Sequence, residues 1–251
     1  MNVLPVYALP FRTTFLIFII FSFVGWVSEV LYVGIFFEHR FVNRGFLHGP
    51  LCPIYGFGGL SILLLPQELY STWFLLFCAS MLLGTVVEYL SSWILEKLFH
   101  TRWWDYSRYK FNIHGRVCLL NSVLFGVLGL VIIHFIQPQV MKLLSLFSST
   151  VLTVTADVLA AALVVDLLIT VRRLVDFSVS MARLAAIKES LLERFDRREE
   201  FNAALHKKLE ALQPRLKNLE SFIHRFPTLK SINYREELML LKERLQKKYK
   251  K

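Results

Sequence analysis

Five apolar stretches, each broken by only a few polar residues, fill the chain at about 15–37, 50–65, 73–95, 117–136 and 150–171. A hydrocarbon layer of about 30 Å takes roughly 20 apolar residues as helix, so each stretch predicts a membrane span. The second is the weakest. It holds Pro50, Pro53, Gly56, Gly58 and Gly59, which predict a kinked or partly re-entrant segment whose backbone must be satisfied by its neighbours. From Leu174 the period changes to seven. Leu174, Met181, Lys188, Phe195, Asn202, Leu209, Leu216 and Ile223 take a-type positions, and Phe177, Leu184, Leu191, Arg198, Leu205, Leu212, Leu219 and Phe226 take d-type positions. Only Lys188, Asn202 and Arg198 among these are polar, so 174–226 carries a coiled-coil seam, bent near Gln213 by Pro214.

Composition agrees with that division. The 251 residues are 55% hydrophobic, 14% aromatic and 19% charged, outside the range of an ordinary soluble domain. Residues 172–251 hold 20 of the 29 Lys and Arg and 11 of the 19 Asp and Glu, so this tail carries +9 of the net +10. The expected fold is therefore an all-α integral membrane protein. Its transmembrane domain covers 1–171, with a fifth span at about 150–171, and a basic helical cytoplasmic tail follows at 172–251.

Orientation follows from basic residues in the short loops. Arg40 and Arg44 follow the first span, and Lys97, Arg102, Arg108, Lys110 and Arg116 follow the third, whereas 66–70 has none. Five spans with the N-terminus outside put both basic loops and the tail in the cytoplasm of a multi-pass plasma-membrane protein. The first stretch is too long, and too poor in basic flanking residues, for a cleavable signal peptide. Cys52, Cys78 and Cys118 predict no structural disulfide on this topology.

The chain also repeats itself. Gly25-Trp26-Val27-Ser28-Glu29 is echoed by Gly84-Thr85-Val86-Val87-Glu88, and His48-Gly49-Pro50-Leu51-Cys52 by His114-Gly115-Arg116-Val117-Cys118. Copies at about 15–65 and 73–136 would be parallel repeats, gathering corresponding parts at one membrane face. Glu29 and Glu88 then lie buried on the same side, where a carboxylate is costly unless paired or hydrated. They read either as a proton- or cation-handling pair lining a substrate site, or as caps for the exposed N–H groups of the next span. His48-Gly49-Pro50 and His114-Gly115-Arg116 are expected to open helices, giving two N-termini beside Arg44 and Arg116. That is an anion or phosphate-headgroup site, or ordinary interfacial arginine. The two His-x3-Cys units also supply a candidate metal set, His48, Cys52, His114 and Cys118, although this is not a standard zinc spacing.

Trp103-Trp104-Asp105-Tyr106 has no counterpart in the first copy. It reads as an interfacial aromatic belt, or as a lid or docking segment with Asp105 at its centre. In the fifth span Asp157 is expected to meet the bundle interior and Asp166 to be an interfacial acid. No phosphate loop, nucleophile elbow or zincin helix occurs, so no hydrolase or ATPase chemistry is assigned and no cofactor is expected. The mixed charges of the tail suit an anionic leaflet, and nucleic acid is not an expected partner.

Asn43-Arg44-Gly45-Phe46-Leu47-His48-Gly49-Pro50-Leu51-Cys52-Pro53-Ile54-Tyr55-Gly56, Trp103-Trp104-Asp105-Tyr106 and Asn112-Ile113-His114-Gly115-Arg116-Val117-Cys118-Leu119 together resemble the bacterial membrane family labelled putative ABC-transporter type IV. The likeness covers about 15–130. It implies a permease whose ATPase is a separate subunit. Five spans make a small pathway, so a second copy or a partner subunit is expected to complete it, while the seam at 174–226 suits pairing with another copy or with a helical partner. The substrate would then sit in a cytoplasm-facing vestibule lined by Glu29, Arg44, His48, Tyr55, Glu88, Trp104, Asp105, His114, Arg116 and Asn121. The residues leave two other classes open: a membrane enzyme acting on a lipid or thiol, and a scaffold acting through its tail.

Overall fold

The computed structural model of the protein describes residues 6–35, 43, 45–192, 223, 225, 226 and 229–249. Arg44 and the seam positions between Phe195 and Leu219 lie outside them. The described chain is mostly helical: α1 (Phe11–Val33), α2 (Pro53–Leu63), α3 (Trp73–Phe99), α4 (Leu119–Val131), a π-helical segment (Ile132–Ile136), α5 (Gln137–Ser145), α6 (Ser149–Leu192) and α7 (Arg235–Tyr249). Four pairs of residues are extended: β1 (Thr101–Arg102), β2 (Asn112–Ile113), β3 (Val117–Cys118) and β4 (Lys230–Ser231).

Among the described residues four helices are long and apolar enough to cross a membrane: Phe11–Tyr32, Trp73–Phe99, Leu119–Ser145 and Ser149–Leu191. The expected span at 50–65 is represented by α2, which has 11 residues and is about 16 Å long, roughly half a hydrocarbon core. Proline sets its start. Pro53 occupies the first turn, where its missing N–H has no partner to lose, and Cys52 is the N-cap. The fourth span departs from regular α geometry just before Pro138. Proline at 138 cannot donate to the carbonyl of His134, and the ladder widens there into the π segment.

The chain forms two compact units. The first comprises residues 1–93 and 106–170, the second residues 94–105 and 171–251. In the first unit α1 and α2 pack antiparallel, since Gly59 faces Phe21, Gly56 faces Phe18 and Ser22, and Gly25 faces Tyr55. Small residues let the two backbones approach closely, the usual basis of helix association in lipid. α3 and α4 make a second antiparallel pair, with Gly84 against Phe125, Gly126 against Phe77 and Gly129 against Ser80. The shared core includes Ile17, Phe21, Leu63, Leu76 and Ile133.

In the second unit the seam positions Leu174, Phe177, Met181, Leu184 and Leu191 are buried, as are Leu229, Leu238 and Leu241. β1 pairs with β4, Thr101 opposite Ser231, and Trp103 packs edge-on against Phe226. Lys188 forms an ion pair with Glu236, whose carboxyl it draws below the usual range.

Candidate functional site

In the first unit the polar groups collect where α2 and α4 begin. The Cys52 N–H donates to the Ser22 carbonyl (3.0 Å), which fixes the start of α2 against the middle of α1. One turn on, the Tyr55 hydroxyl donates to Glu29 Oε1 at 2.6 Å. The tyrosine can reach because Gly25, one turn before Glu29, leaves room for its ring.

The connection before α2 is tied at several points. Asn43 Oδ1 accepts from Trp26 Nε1 (2.8 Å) and from the Gly45 N–H (2.9 Å), while its amide donates to the His48 carbonyl (3.1 Å). Asp166 on α6 accepts the His48 N–H on one oxygen and the Gly49 N–H on the other, both at 2.9 Å. Thr170 Oγ1 also accepts from His48 N–H, at 3.1 Å. The expected roles of the two α6 acids are thus reversed. Asp157 is more than half exposed and pairs with Arg12 at 3.0 Å, whereas Asp166 holds the loop. The periodicity places them on opposite faces but does not say which face meets the loop.

His48-Gly49-Pro50 does not open a helix, contrary to the expectation. Its amides are engaged by Asp166, and the helix starts at Pro53. His114-Gly115-Arg116 likewise forms the turn of the β2–β3 hairpin, with His114 at φ 53° and Gly115 at φ 67°. The Arg116 N–H closes the turn onto the Ile113 carbonyl at 3.0 Å, and α4 starts at Leu119. Two successive positive φ values match a primed turn, which suits a tight hairpin and favours glycine at the second position. Gly115→Ala should therefore destabilise the hairpin by about 1 kcal/mol, read as a lower thermal midpoint of the purified protein.

This hairpin presents Tyr106, whose N–H donates to the Gly115 carbonyl (2.8 Å). The Tyr106 hydroxyl donates to Glu88 Oε1 at 3.1 Å, and the Asn121 amide reaches the same Glu88 oxygen (3.3 Å) and the Tyr106 hydroxyl (2.6 Å). Burial, first of all, pushes the Tyr106 phenol far above its ordinary range, and its hydrogen bond to Glu88 acts in the same direction. Glu88 is 6% exposed, and its second oxygen, Oε2, is buried with no hydrogen-bond partner among the described residues. Beside this cluster Thr85 donates to Ser122 (2.7 Å). His114 Nδ1 lies 3.2 Å from the Tyr89 hydroxyl, and the Arg116 guanidinium sits 5.6 Å from the Tyr89 ring centre. Tyr106 contributes to the electrostatic surroundings of Tyr55.

Of the residues singled out from the sequence, the first unit therefore joins Glu29 to Tyr55 and Glu88 to Asn121, with His48, His114 and Arg116 in the loops that precede α2 and α4. Trp104 and Asp105 fall in the second unit, where Asp105 pairs with Arg102 (4.0 Å) and Lys230. Among the described residues no three His, Cys, Asp or Glu side chains gather as a metal site. His48, Cys52, His114 and Cys118 thus form no ligand set, because the two cysteines are buried at the helix starts while both histidines are exposed in the loops. Among the described residues no disulfide joins Cys52, Cys78 or Cys118.

Tyr106, Asn43, Asp166 and Thr170 were not expected at the site. A signal for Tyr106 does exist. Glu29 and Glu88 are 59 residues apart but His48 and His114 are 66 apart, so the second loop is longer and can bring in a residue the first lacks.

A family model described as putative ABC-transporter type IV matches residues 16–171, which takes in both helix pairs and both polar clusters. Comparison with curated proteins and with solved structures finds no match.

Proposed function

The chain belongs to the putative ABC-transporter type IV family, and from that premise we propose that it is the membrane component of a transporter whose ATPase is another polypeptide. The observation that carries this reading is the pairing of both intramembrane carboxylates with polar partners at adjacent helix starts, Glu29 with Tyr55 and Glu88 with Tyr106 and Asn121. Membrane proteins keep such groups where a polar substrate or ion must pass, because burying them is otherwise unfavourable.

The topology we infer has five passes, the second completed by the tied loop at 45–52 together with the short α2. Discontinuous passes of this kind commonly line the binding sites of transporters. The basic residues of the loops support an N-terminus outside and a tail in the cytoplasm, and in this reading both clusters face a cytoplasmic vestibule. In this reading the two helix pairs are duplicated parallel units.

The test is purification of the tagged full-length chain from its native membranes after mild crosslinking. The expected result is co-purification of a nucleotide-binding ATPase whose hydrolysis is vanadate-sensitive. Glu29→Gln with Glu88→Gln should retain that partner and reduce transport-coupled hydrolysis by at least about tenfold, the effect of losing about 1.4 kcal/mol of differential binding. A chain that brings down no ATPase from native membranes would overturn the proposal.

A further inference from the structure

We propose that Glu88 is a proton-binding site rather than a substrate ligand, its carboxyl held neutral in the resting protein with the proton on Oε2. This deepens the transport reading and rests on it. The two acids of the repeat differ in ways the sequence does not show. Glu29 is partly exposed and meets one phenol, whereas Glu88 is 6% exposed within an apolar helix.

Among the described residues every donor reaching Glu88 is neutral, the Tyr106 hydroxyl and the Asn121 amide, and both converge on Oε1. No Lys, Arg or His among the described residues lies within ion-pairing distance of it. The other titratable groups nearby are Cys118, at the start of α4, and Tyr55, through Tyr106, while His114 and Arg116 are directed to Tyr89. An anion so placed would carry a desolvation cost of several kcal/mol with no counter-ion to offset it. Taking up a proton removes that cost. It also fits the arrangement of the two oxygens, since Oε1 then accepts two hydrogen bonds as a carbonyl, while Oε2 bears the hydrogen as a neutral hydroxyl whose missing partner costs far less than an unpaired charge.

Release of that proton would leave a carboxylate drawing on Tyr106, the residue that the hairpin backbone holds in place at Gly115. Proton exchange at Glu88 is thereby linked to the loop before α4. Glu29 with Tyr55 remains as the more open, ligand-facing pair.

Infrared spectroscopy of the full-length chain in a carbonyl-free detergent tests this without substrate or ATPase, so its failure is separable from that of the transport reading. At neutral pH the wild type should show a protonated-carboxyl C=O band, shifted in D2O, that Glu88→Gln lacks. Tyr106→Phe, which leaves the carboxyl in place, should keep the band and move it to higher frequency, because one hydrogen bond to Oε1 is gone. That variant also keeps the test readable should Glu88→Gln fail to fold. Identical wild-type and Glu88→Gln spectra, or a Tyr106→Phe band at the wild-type frequency, would overturn the proposal. So would bleaching of the band by added Na+ or K+, which would make Glu88 a metal-cation site.

Discussion

Gly25→Ala should destabilise the first helix pair by about 1–3 kcal/mol, seen as a lower thermal midpoint and a smaller monodisperse fraction of the detergent-purified protein. A Cβ at this position would approach Cγ, Cβ and Cδ2 of Tyr55 closer than 3.0 Å. The tyrosine cannot simply swing away. Its hydroxyl is anchored on Glu29, and three residues earlier the Cys52 N–H is anchored on the Ser22 carbonyl. The added methyl therefore either separates α1 from α2 or breaks the Tyr55–Glu29 bond, and each route exposes or orphans a buried group. Gly58, on the same short helix, is the control. Nothing lies within 4 Å of a Cβ there, so Gly58→Ala should be neutral or stabilising by up to about 1 kcal/mol through helix propensity. Equal midpoints for the two variants would contradict the packing.

Asp166→Ala should release the loop before α2. One carboxylate accepts both the His48 and the Gly49 N–H, and hydrogen bonds to a charged group contribute about 1.5–3 kcal/mol each. Thr170 still accepts from His48 in the variant, so the expected loss is about 2–3 kcal/mol rather than the full sum. Hydrogen–deuterium exchange of the peptide covering 45–51 is the direct measurement, and its amides should exchange at least tenfold faster. Asp166→Asn retains a single acceptor and should fall between wild type and alanine. Unchanged exchange in the alanine variant would show that Asn43 and Thr170 hold the loop without it.

How much of the site was legible depended on the kind of information each residue carried. Glu29 and Glu88 stood out because an acid in an apolar run is costly wherever the chain folds. Tyr55 and Asn121 entered only as lining residues of the vestibule that the family resemblance implies, and the structure joins Tyr55 to Glu29 and Asn121 to Glu88. Asp166 was not legible, and Tyr106 only as one of several extra residues in the longer second loop. Tyr106 sits among aromatics that read equally well as an interfacial belt, and only the β2–β3 hairpin turns it onto Glu88. Asp166 lies 118 residues from His48, and no local pattern says that the α6 face carrying it meets that loop. The proposed helix starts at His48 and His114 failed for a related reason. A Gly-Pro or Gly-Arg pair suits a helix start and a turn alike, and the partners that choose between them come from elsewhere in the chain.

The sequence by itself determined that this is a multi-pass, largely helical membrane protein with a basic tail. The bilayer acts as a solvent that reads run length and charge along one dimension, and neither depends on which helix neighbours which. Tertiary structure decided the rest: that α2 is half a span long, that Asp166 rather than Asp157 is the working acid of α6, and that the two repeated carboxylates are unlike. Those outcomes rest on directed hydrogen bonds between groups far apart in sequence, and such bonds are fixed only once close glycine contacts have set the spacing of the helices.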